Sequence, residues 1–165
     1  MTTLFAQPYD ISANGFYFDS LDEYTTKSFN QNGPEIEEYE IEFIDGTGID
    51  CKLFEALNIT QCNIEGYFEA TENWNEDQKI KAIIAIGEVG YKFDLAKDSP
   101  DDFEVDLYQL DYMRELAEQF VDEGLYGTIP ESIQSYLDYD LIARDLAMDY
   151  SEIKIDGTHY IYRCD

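Results

Sequence analysis

The chain has 165 residues, of which 37 are acidic and 10 are basic, so its formal net charge is -27 at pH 7. This charge disfavours binding to nucleic acid or to an anionic membrane, and it favours cationic partners such as basic proteins. With 14 Tyr and 10 Phe, the chain has enough apolar material for a packed core, unlike a disordered acidic tail. No apolar run is long enough to span a bilayer and no cationic leader precedes one, so we expect a soluble, cytoplasmic protein without membrane partners.

The first part of the chain predicts a small α+β domain over residues 1–50. Short strands are predicted in "TLFAQPYDI", "GFYFDS" and "EEYEIEFIDG". The stretch "SLDEYTTKSFNQNG" predicts a helix, with Ser20 as its N-cap, Glu23 as the partner in a capping box and Gly33-Pro34 as its stop.

The middle of the chain predicts a helical domain over residues 51–97. Helical periodicity indicates three helices, in "KLFEALNI", "QCNIEGYFEATENW" and "NEDQKIKAIIAIGEVG". The last of them is expected to begin at Asn75 and to end at Gly90. The polar stretch "DLAKDSPDD" then indicates a linker.

The remainder predicts a second α+β domain over residues 98–165. It contains a strand "DFEVDLY", a helix "DYMRELAEQFVDEG", one long helix from Pro130 to Leu146, and a hairpin "SEIKIDGTHYIYRC" turning at Asp156-Gly157. The predicted fold class is therefore α+β, with three small domains in an elongated arrangement.

Acidic residues are predicted to form outward-facing rows on three of these elements. Alternation puts apolar residues on one face of a strand and acids on the other, and a 3.6-residue period does the same on a helix. The predicted rows are Glu38, Glu40 and Glu42; Asp102, Glu104 and Asp106; and Asp111, Glu115, Glu118 and Asp122.

Two interpretations of these rows remain open. Any solvated acidic surface would display some of this pattern. Alternatively, the rows imitate phosphates: duplex DNA carries one charge per about 1.7 Å, so the net charge corresponds to roughly 46 Å of duplex. A protein that binds the DNA backbone through Lys and Arg side chains would then bind this chain in the same way.

Candidate catalytic and cofactor sites are scarce. The single histidine, His159, lies in a predicted turn, and no nucleophile–histidine constellation or phosphate-binding loop is recognisable. Cys51, Cys62 and Cys164 form no C-x-x-C pair and are expected to be free thiols. We therefore predict no catalytic residue, metal or cofactor, although a nuclease with a carboxylate-only metal site is a further possibility against which the charge argues.

The helix predicted from Pro130 to Leu146 has two apolar stripes. One contains Tyr139, Ile142, Ala143, Leu146 and Tyr150, and the other contains Leu137, Leu141 and Met148 with Arg144 among them. Two stripes indicate two packing partners, namely the core of the domain and a second surface. Asp140 precedes Arg144 by four residues, which predicts an ion pair between them.

This region resembles a known family. The stretch "EGLYGTIPESIQSYLDYDLIARDL", from Glu123 to Leu146, is similar to the antirestriction motif of the ArdA family of antirestriction proteins. It departs from the family pattern at Ile133 and at Leu141-Ile142-Ala143. The matching positions are Gly124, Pro130, Gln134, Tyr136, Asp138-Tyr139 and Arg144-Asp145-Leu146.

The resemblance implies a curved homodimer of three-domain chains that mimics bent DNA. Such a protein binds the methyltransferase core of Type I restriction-modification enzymes and needs no nucleic acid of its own. In the family the motif lies at or near the dimer contact, so the candidate contact residues are Tyr136, Leu137, Asp138, Tyr139, Leu141, Arg144, Asp145 and Met148. The alternative is an acidic interaction module that masks another basic DNA-binding protein.

Overall fold

A computed structural model of the chain describes residues 1–30 and 36–165. These residues form seven α-helices and two three-stranded antiparallel sheets, which confirms the predicted α+β class. The predicted helix stop at Gly33-Pro34 lies outside the described residues.

The strands are β1 (Thr3–Pro8), β2 (Phe16–Phe18), β3 (Tyr39–Asp45), β4 (Val105–Tyr108), β5 (Ser151–Ile155) and β6 (Thr158–Cys164). The α-helices are α1 (Leu21–Phe29), α2 (Gly48–Ala56), α3 (Ile64–Asn73), α4 (Glu76–Ala82), α5 (Met113–Asp122), α6 (Glu131–Gln134) and α7 (Tyr139–Leu146). A π-helix (Ile83–Glu88) continues α4, and a 3-10 helix spans Pro100–Asp102.

The first sheet has the order β2-β1-β3, and one of its faces is buried. Leu4 and Ala6 of β1 point to that face together with Phe18, Tyr39 and Ile41, and all five are buried. The alternation along β3 therefore sorts its side chains as predicted, with the apolar ones inward.

Helices α2 and α3 cover the buried face of this sheet. The rings of Phe18 and Phe68 lie 6.0 Å apart, and those of Phe43 and Phe54 lie 5.9 Å apart. The sheet and the helices thus share one core, and residues Met1–Phe103 form a single compact unit. The predicted division into three domains is not confirmed, since the second compact unit is Glu104–Asp165.

The predicted N-cap at Ser20 and the predicted helix start at Asn75 are confirmed, whereas the capping box predicted for Ser20 and Glu23 is not formed. The Ser20 hydroxyl accepts the backbone N–H of Glu23 at 3.2 Å, but the Glu23 carboxylate bonds the backbone N–H of Asp19 rather than that of Ser20. At Asn75 the capping box is reciprocal with Gln78, at 2.9 and 3.0 Å. Local side-chain chemistry therefore sets where these helices begin.

The second unit contains the sheet β4-β6-β5 packed against α5. Its core is built from Leu116, Phe120, Tyr150 and Ile161. The predicted hairpin is confirmed: Asp156 and Gly157 form its two-residue turn, and both have positive φ angles (47° and 81°). This is the conformation that a type I′ turn requires.

The single helix predicted from Pro130 to Leu146 is wrong. The chain forms α6 and α7 instead, and the break between them ends at Asp138. The Asp138 carboxylate accepts the backbone N–H of Leu141 at 3.1 Å and so acts as the N-cap of α7. An aspartate that bonds the backbone in this way competes with helix continuation.

Candidate acidic interaction surface

The predicted acidic row on β3 is exposed. Glu40 and Glu42 point away from the core, and Glu38 is exposed immediately before the strand. Among the described residues, none of these three carboxylates has an ion-pair partner. Alternate residues of a strand lie about 6.7 Å apart, where two like charges repel by roughly 0.6 kcal/mol in water. The row therefore keeps its charge available for a cationic partner.

The predicted row on β4 is only partly present. Asp102 does not belong to the strand: it lies in the 3-10 helix, where its carboxylate accepts the backbone N–H of Ser99 at 3.2 Å. Asp106 is exposed, but it pairs with Arg163 at 2.9 Å. Glu104 alone of the three is exposed without such a bond in the part of the chain that the structure describes.

The predicted row on α5 is also partly committed to the fold. Asp111 precedes the helix, and the Glu115 carboxylate accepts the backbone N–H groups of Asp111 and Tyr112 at 2.8 and 3.1 Å. Glu118 pairs with Nε of Arg114 at 3.0 Å. Asp122 is exposed. Two of the four carboxylates thus stabilise the helix locally rather than facing solvent as a free row.

A further acidic row lies on α3 and was missed in the sequence. Glu65, Glu69 and Glu72 are exposed, whereas Ile64 and Phe68 of the same helix are buried. The spacing i, i+4, i+7 puts the three glutamates on one side of the helix. The signal that identifies the row on α5, a 3.6-residue period of acids, would have identified this one too.

Most ion pairs in the described residues are local. Lys27–Glu23, Lys52–Glu55 and Lys81–Asp77 each join residues three or four apart on one helix. Lys27 lowers the pKa of the Glu23 carboxyl, mainly through the hydrogen bond between them. Each of these three lysines therefore pairs with a carboxylate on its own helix. The carboxylates of the rows on β3 and α3 have no ion-pair partner in the described part of the chain.

The motif region exposes apolar side chains. Tyr136, Leu141 (47% exposed) and Met148 (81% exposed) face solvent, whereas Leu137 and Tyr139 are half-buried. Of the second predicted apolar stripe, Leu141 and Met148 are thus left uncovered by the chain itself, whereas Leu137 is half-buried. Such a patch is typical of a protein–protein contact.

The predicted ion pair between Asp140 and Arg144 is wrong. Both carboxylate oxygens of Asp140 accept from Nη1 of Arg114 at 3.1 Å, and the Arg114 side chain also lies over the Tyr139 ring at 5.9 Å. Helix α5 supplies this arginine because α5 and α7 pack against each other. Arg144 and Asp145 are exposed, and the described residues provide Arg144 with no ion-pair partner.

The described residues contain no group of three His, Cys, Asp or Glu side chains arranged to hold a metal ion. Nδ1 of His159 lies 3.1 Å from the Leu110 carbonyl oxygen. All three cysteines are free thiols, and burial raises the pKa of Cys51 and Cys164. Across residues 1–30 and 36–165, no helix combines the length and apolar character needed to cross a membrane.

No family model and no curated protein matches the chain. The resemblance of Glu123–Leu146 to the antirestriction motif therefore depends on those sequence positions alone.

Each of the two unpaired rows, on β3 and on α3, is suited by itself to binding cationic side chains. Exposed carboxylates on β3 and α3 can accept hydrogen bonds from Lys and Arg side chains, and charge-assisted bonds of this kind are stronger than neutral ones. The exposed apolar patch of the second unit, Tyr136, Leu141 and Met148, offers a different kind of contact, suited to a protein surface of low charge.

Proposed function

We propose that the protein is a non-enzymatic DNA mimic that occupies the DNA-binding groove of Type I restriction-modification enzymes in the cytoplasm. It would bind their methyltransferase core and exclude DNA, without a metal or cofactor. The observation that carries this proposal is the row Glu38, Glu40 and Glu42, which is exposed and free of ion pairs among the described residues. The similarity of Glu123–Leu146 to the antirestriction motif supports Type I restriction-modification enzymes as the partner.

The driving force would be the one that drives DNA binding. Duplex DNA releases its condensed cations when the lysines and arginines of a groove neutralise its phosphates, and an acidic surface that replaces DNA would release its own bound cations in the same way. The affinity of such a complex falls steeply as the salt concentration rises. In a regular row, several carboxylates can also contact the Lys and Arg side chains of a DNA-binding groove at the same time.

We further propose that the protein acts as a homodimer that associates through the motif region. The support is the exposed stripe of Leu141 and Met148 together with Tyr136. Burying this stripe against a second copy would remove apolar surface from water. Because Arg144 lies on the same helix, the contact would also bring a cation to an otherwise acidic chain.

The decisive experiment is competition for a purified Type I methyltransferase. The protein is expected to displace a labelled DNA duplex from the enzyme. Its own dissociation constant, corrected for the weaker binding of DNA at higher salt, should rise at least tenfold between 50 and 200 mM salt. Failure to displace DNA at any salt concentration would remove the proposed partner.

A charge-neutralised variant tests the row itself. Replacing Glu38, Glu40 and Glu42 together by Gln is expected to weaken DNA displacement by about ten- to a hundredfold, because each lost charge-assisted bond contributes on the order of 0.5–1 kcal/mol at an exposed site. The matched control replaces three scattered, exposed glutamates outside the rows and the motif, Glu76→Gln, Glu88→Gln and Glu152→Gln.

The two variants carry the same net charge, so the comparison separates the effect of arranging carboxylates in a row from the effect of their number. Equal losses would show that the amount of charge matters and its arrangement does not. A fall in melting temperature confined to the row variant would mean that the row is structural, contrary to the proposal.

A second candidate function is an acidic module that masks some other basic DNA-binding protein. The observation that favours it is that Asp102, Asp106, Glu115 and Glu118 are bonded within the fold, which leaves fewer ordered carboxylates than the sequence indicates. Tight binding to an unrelated basic DNA-binding protein, with no effect on a Type I enzyme, would support this candidate.

A further inference from the structure

The solvent side of the first sheet combines aromatic rings with carboxylates. Phe5 on the central strand β1 lies directly opposite Tyr17 on β2 and directly opposite Glu42 on β3. Side chains of directly opposed residues in antiparallel strands project from the same face. Tyr17, Phe5 and Glu42 therefore form a line across the sheet. The next opposed pair on the same face is Gln7 and Glu40. We call these five residues the aromatic–acidic face.

The two rings are held close together and remain accessible. The centroids of Phe5 and Tyr17 are 4.7 Å apart with their planes tilted by 53°. Tyr17 is 57% exposed, Phe5 is half-buried, and Glu40 and Glu42 are exposed. The surface is therefore an aromatic pair bordered on one side by negative charge.

Gly15 accounts for the position of the Phe5 ring. A Cβ atom at this glycine would lie 2.4 Å from the ring and 2.7 Å from the Ala6 carbonyl oxygen, so no larger residue fits beneath it. The ring consequently lies against the backbone at the start of β2 and keeps its contact with Tyr17. The pair is a preorganised platform rather than two independent side chains.

Lys27 is the cation that approaches this platform from α1, and its charge is already engaged. Its amino group donates to the Tyr17 carbonyl oxygen at 2.7 Å and pairs with Glu23 at 2.7 Å. It thus binds at the backbone of β2, and more than half of the Tyr17 side chain stays open to solvent.

The chemistry of this face selects one type of side chain. The face of an aromatic ring attracts a cation, and the planar guanidinium of Arg stacks on such rings while its N–H fork bonds a carboxylate in bidentate fashion. The ammonium group of Lys holds its hydration more strongly and has no plane to stack. A side chain that both stacks on the rings and bonds the Glu42 carboxylate is therefore an arginine.

We propose that the aromatic–acidic face is a binding site for an arginine side chain of a basic partner protein. The inference deepens the proposed function and rests on it for the identity of the partner. The specificity for guanidinium over ammonium, however, belongs to the face itself and is measurable without any restriction enzyme.

The experiment compares two peptides of equal charge, hexa-arginine and hexalysine, binding to the full-length protein. Both are attracted by the net charge, so the readout is the ratio of their affinities. Tyr17→Leu removes the ring and keeps an apolar side chain, whereas Tyr17→Phe keeps the ring. Phe29→Leu is the matched control, because Phe29 is an exposed aromatic residue at the end of α1, outside this face.

The arginine preference of the native protein is expected to fall by about threefold in Tyr17→Leu, as one exposed cation–π contact predicts. It should persist in Tyr17→Phe and in Phe29→Leu. Glu42→Gln should lower hexa-arginine affinity more than Glu88→Gln, which removes one charge elsewhere. An arginine preference unchanged in Tyr17→Leu would overturn the proposal.

A measurement on the native chain covers the case in which Tyr17→Leu does not fold. Nuclear magnetic resonance titration with hexa-arginine should shift the ring signals of Phe5 and Tyr17 more than hexalysine does. Equal shifts with the two peptides would refute the site. If the ring signals respond but the protein fails to displace DNA from a Type I enzyme, the proposed function fails while the arginine site stands.

Discussion

Among individual residues, the ion pair between Asp50 and Lys79 has the clearest structural role. The Lys79 ammonium lies 2.8 Å from Oδ1 of Asp50 and donates to the Thr71 carbonyl oxygen at 2.9 Å. The two side chains are only 10% and 13% exposed. The Tyr67 hydroxyl donates to the Asp50 carbonyl oxygen, which ties α3 to the same point. This acid is therefore part of the core of the first unit, in contrast to the exposed rows.

Lys79→Met is expected to destabilise the first unit by about 3 kcal/mol, because it leaves the Asp50 carboxylate buried without a counter-charge. Urea unfolding followed by circular dichroism measures the loss. The double variant Asp50→Asn with Lys79→Met should recover part of it, since no uncompensated charge remains. A loss below about 1 kcal/mol in the single variant would show that water replaces the lysine.

Among the elements, α7 carries two distinct surfaces. Ala143 is buried and Leu146 packs against the core of the second unit, whereas Leu141 faces solvent. Arg144 is exposed, so the expectation that it sits among apolar neighbours applies only if a second copy covers it. Its replacement by Ala should accordingly leave the fold of an isolated chain intact.

Met148→Gln is expected to weaken self-association by about tenfold with little change in melting temperature, because Met148 is 81% exposed in the isolated chain and would be buried only in a dimer. Sedimentation equilibrium at micromolar concentrations measures the change. Val89→Gln, an exposed aliphatic residue in the first unit, is the control. A native protein that is monomeric throughout this range would contradict the proposed dimer.

At the scale of the whole molecule, the net charge of -27 opposes the compact state. Local pairs such as Lys52–Glu55 remove single charges, and the rows on β3 and α3 stay uncompensated. At physiological ionic strength, repulsion between exposed charges persists within about 8 Å and is largely screened beyond that distance. The exposed rows therefore lower the stability of the folded chain, and the proposed binding of cationic partners would offset that loss.

Stability should rise with salt. Between 20 and 500 mM NaCl we expect a gain of about 1 kcal/mol, which corresponds to roughly 2–4 °C in melting temperature for a chain of this size. The variant with Glu38, Glu40 and Glu42 replaced by Gln should gain less, because part of the repulsion is already absent. A melting temperature that falls with salt would mean that ion pairs, rather than repulsion, dominate the electrostatics.

The sequence by itself determined the features that depend on neighbouring residues. The alternation of β3, the reciprocal cap of Asn75 and Gln78, and the Asp156-Gly157 turn all follow from interactions within a few positions. Because strand pleat, caps and turns are short-range, their residues can be recognised before any tertiary contact is known.

Only the tertiary structure decided which groups share a core and which charges find a partner. Asp140 lies four residues from Arg144 but bonds Arg114, and Lys79 pairs with Asp50 across 29 residues. Likewise, the sheet of the first 50 residues and the helices after it pack into one unit. The physical reason is that ion pairing and burial depend on distance in space, which the packing of α5 on α7 and of α2 and α3 on the sheet creates.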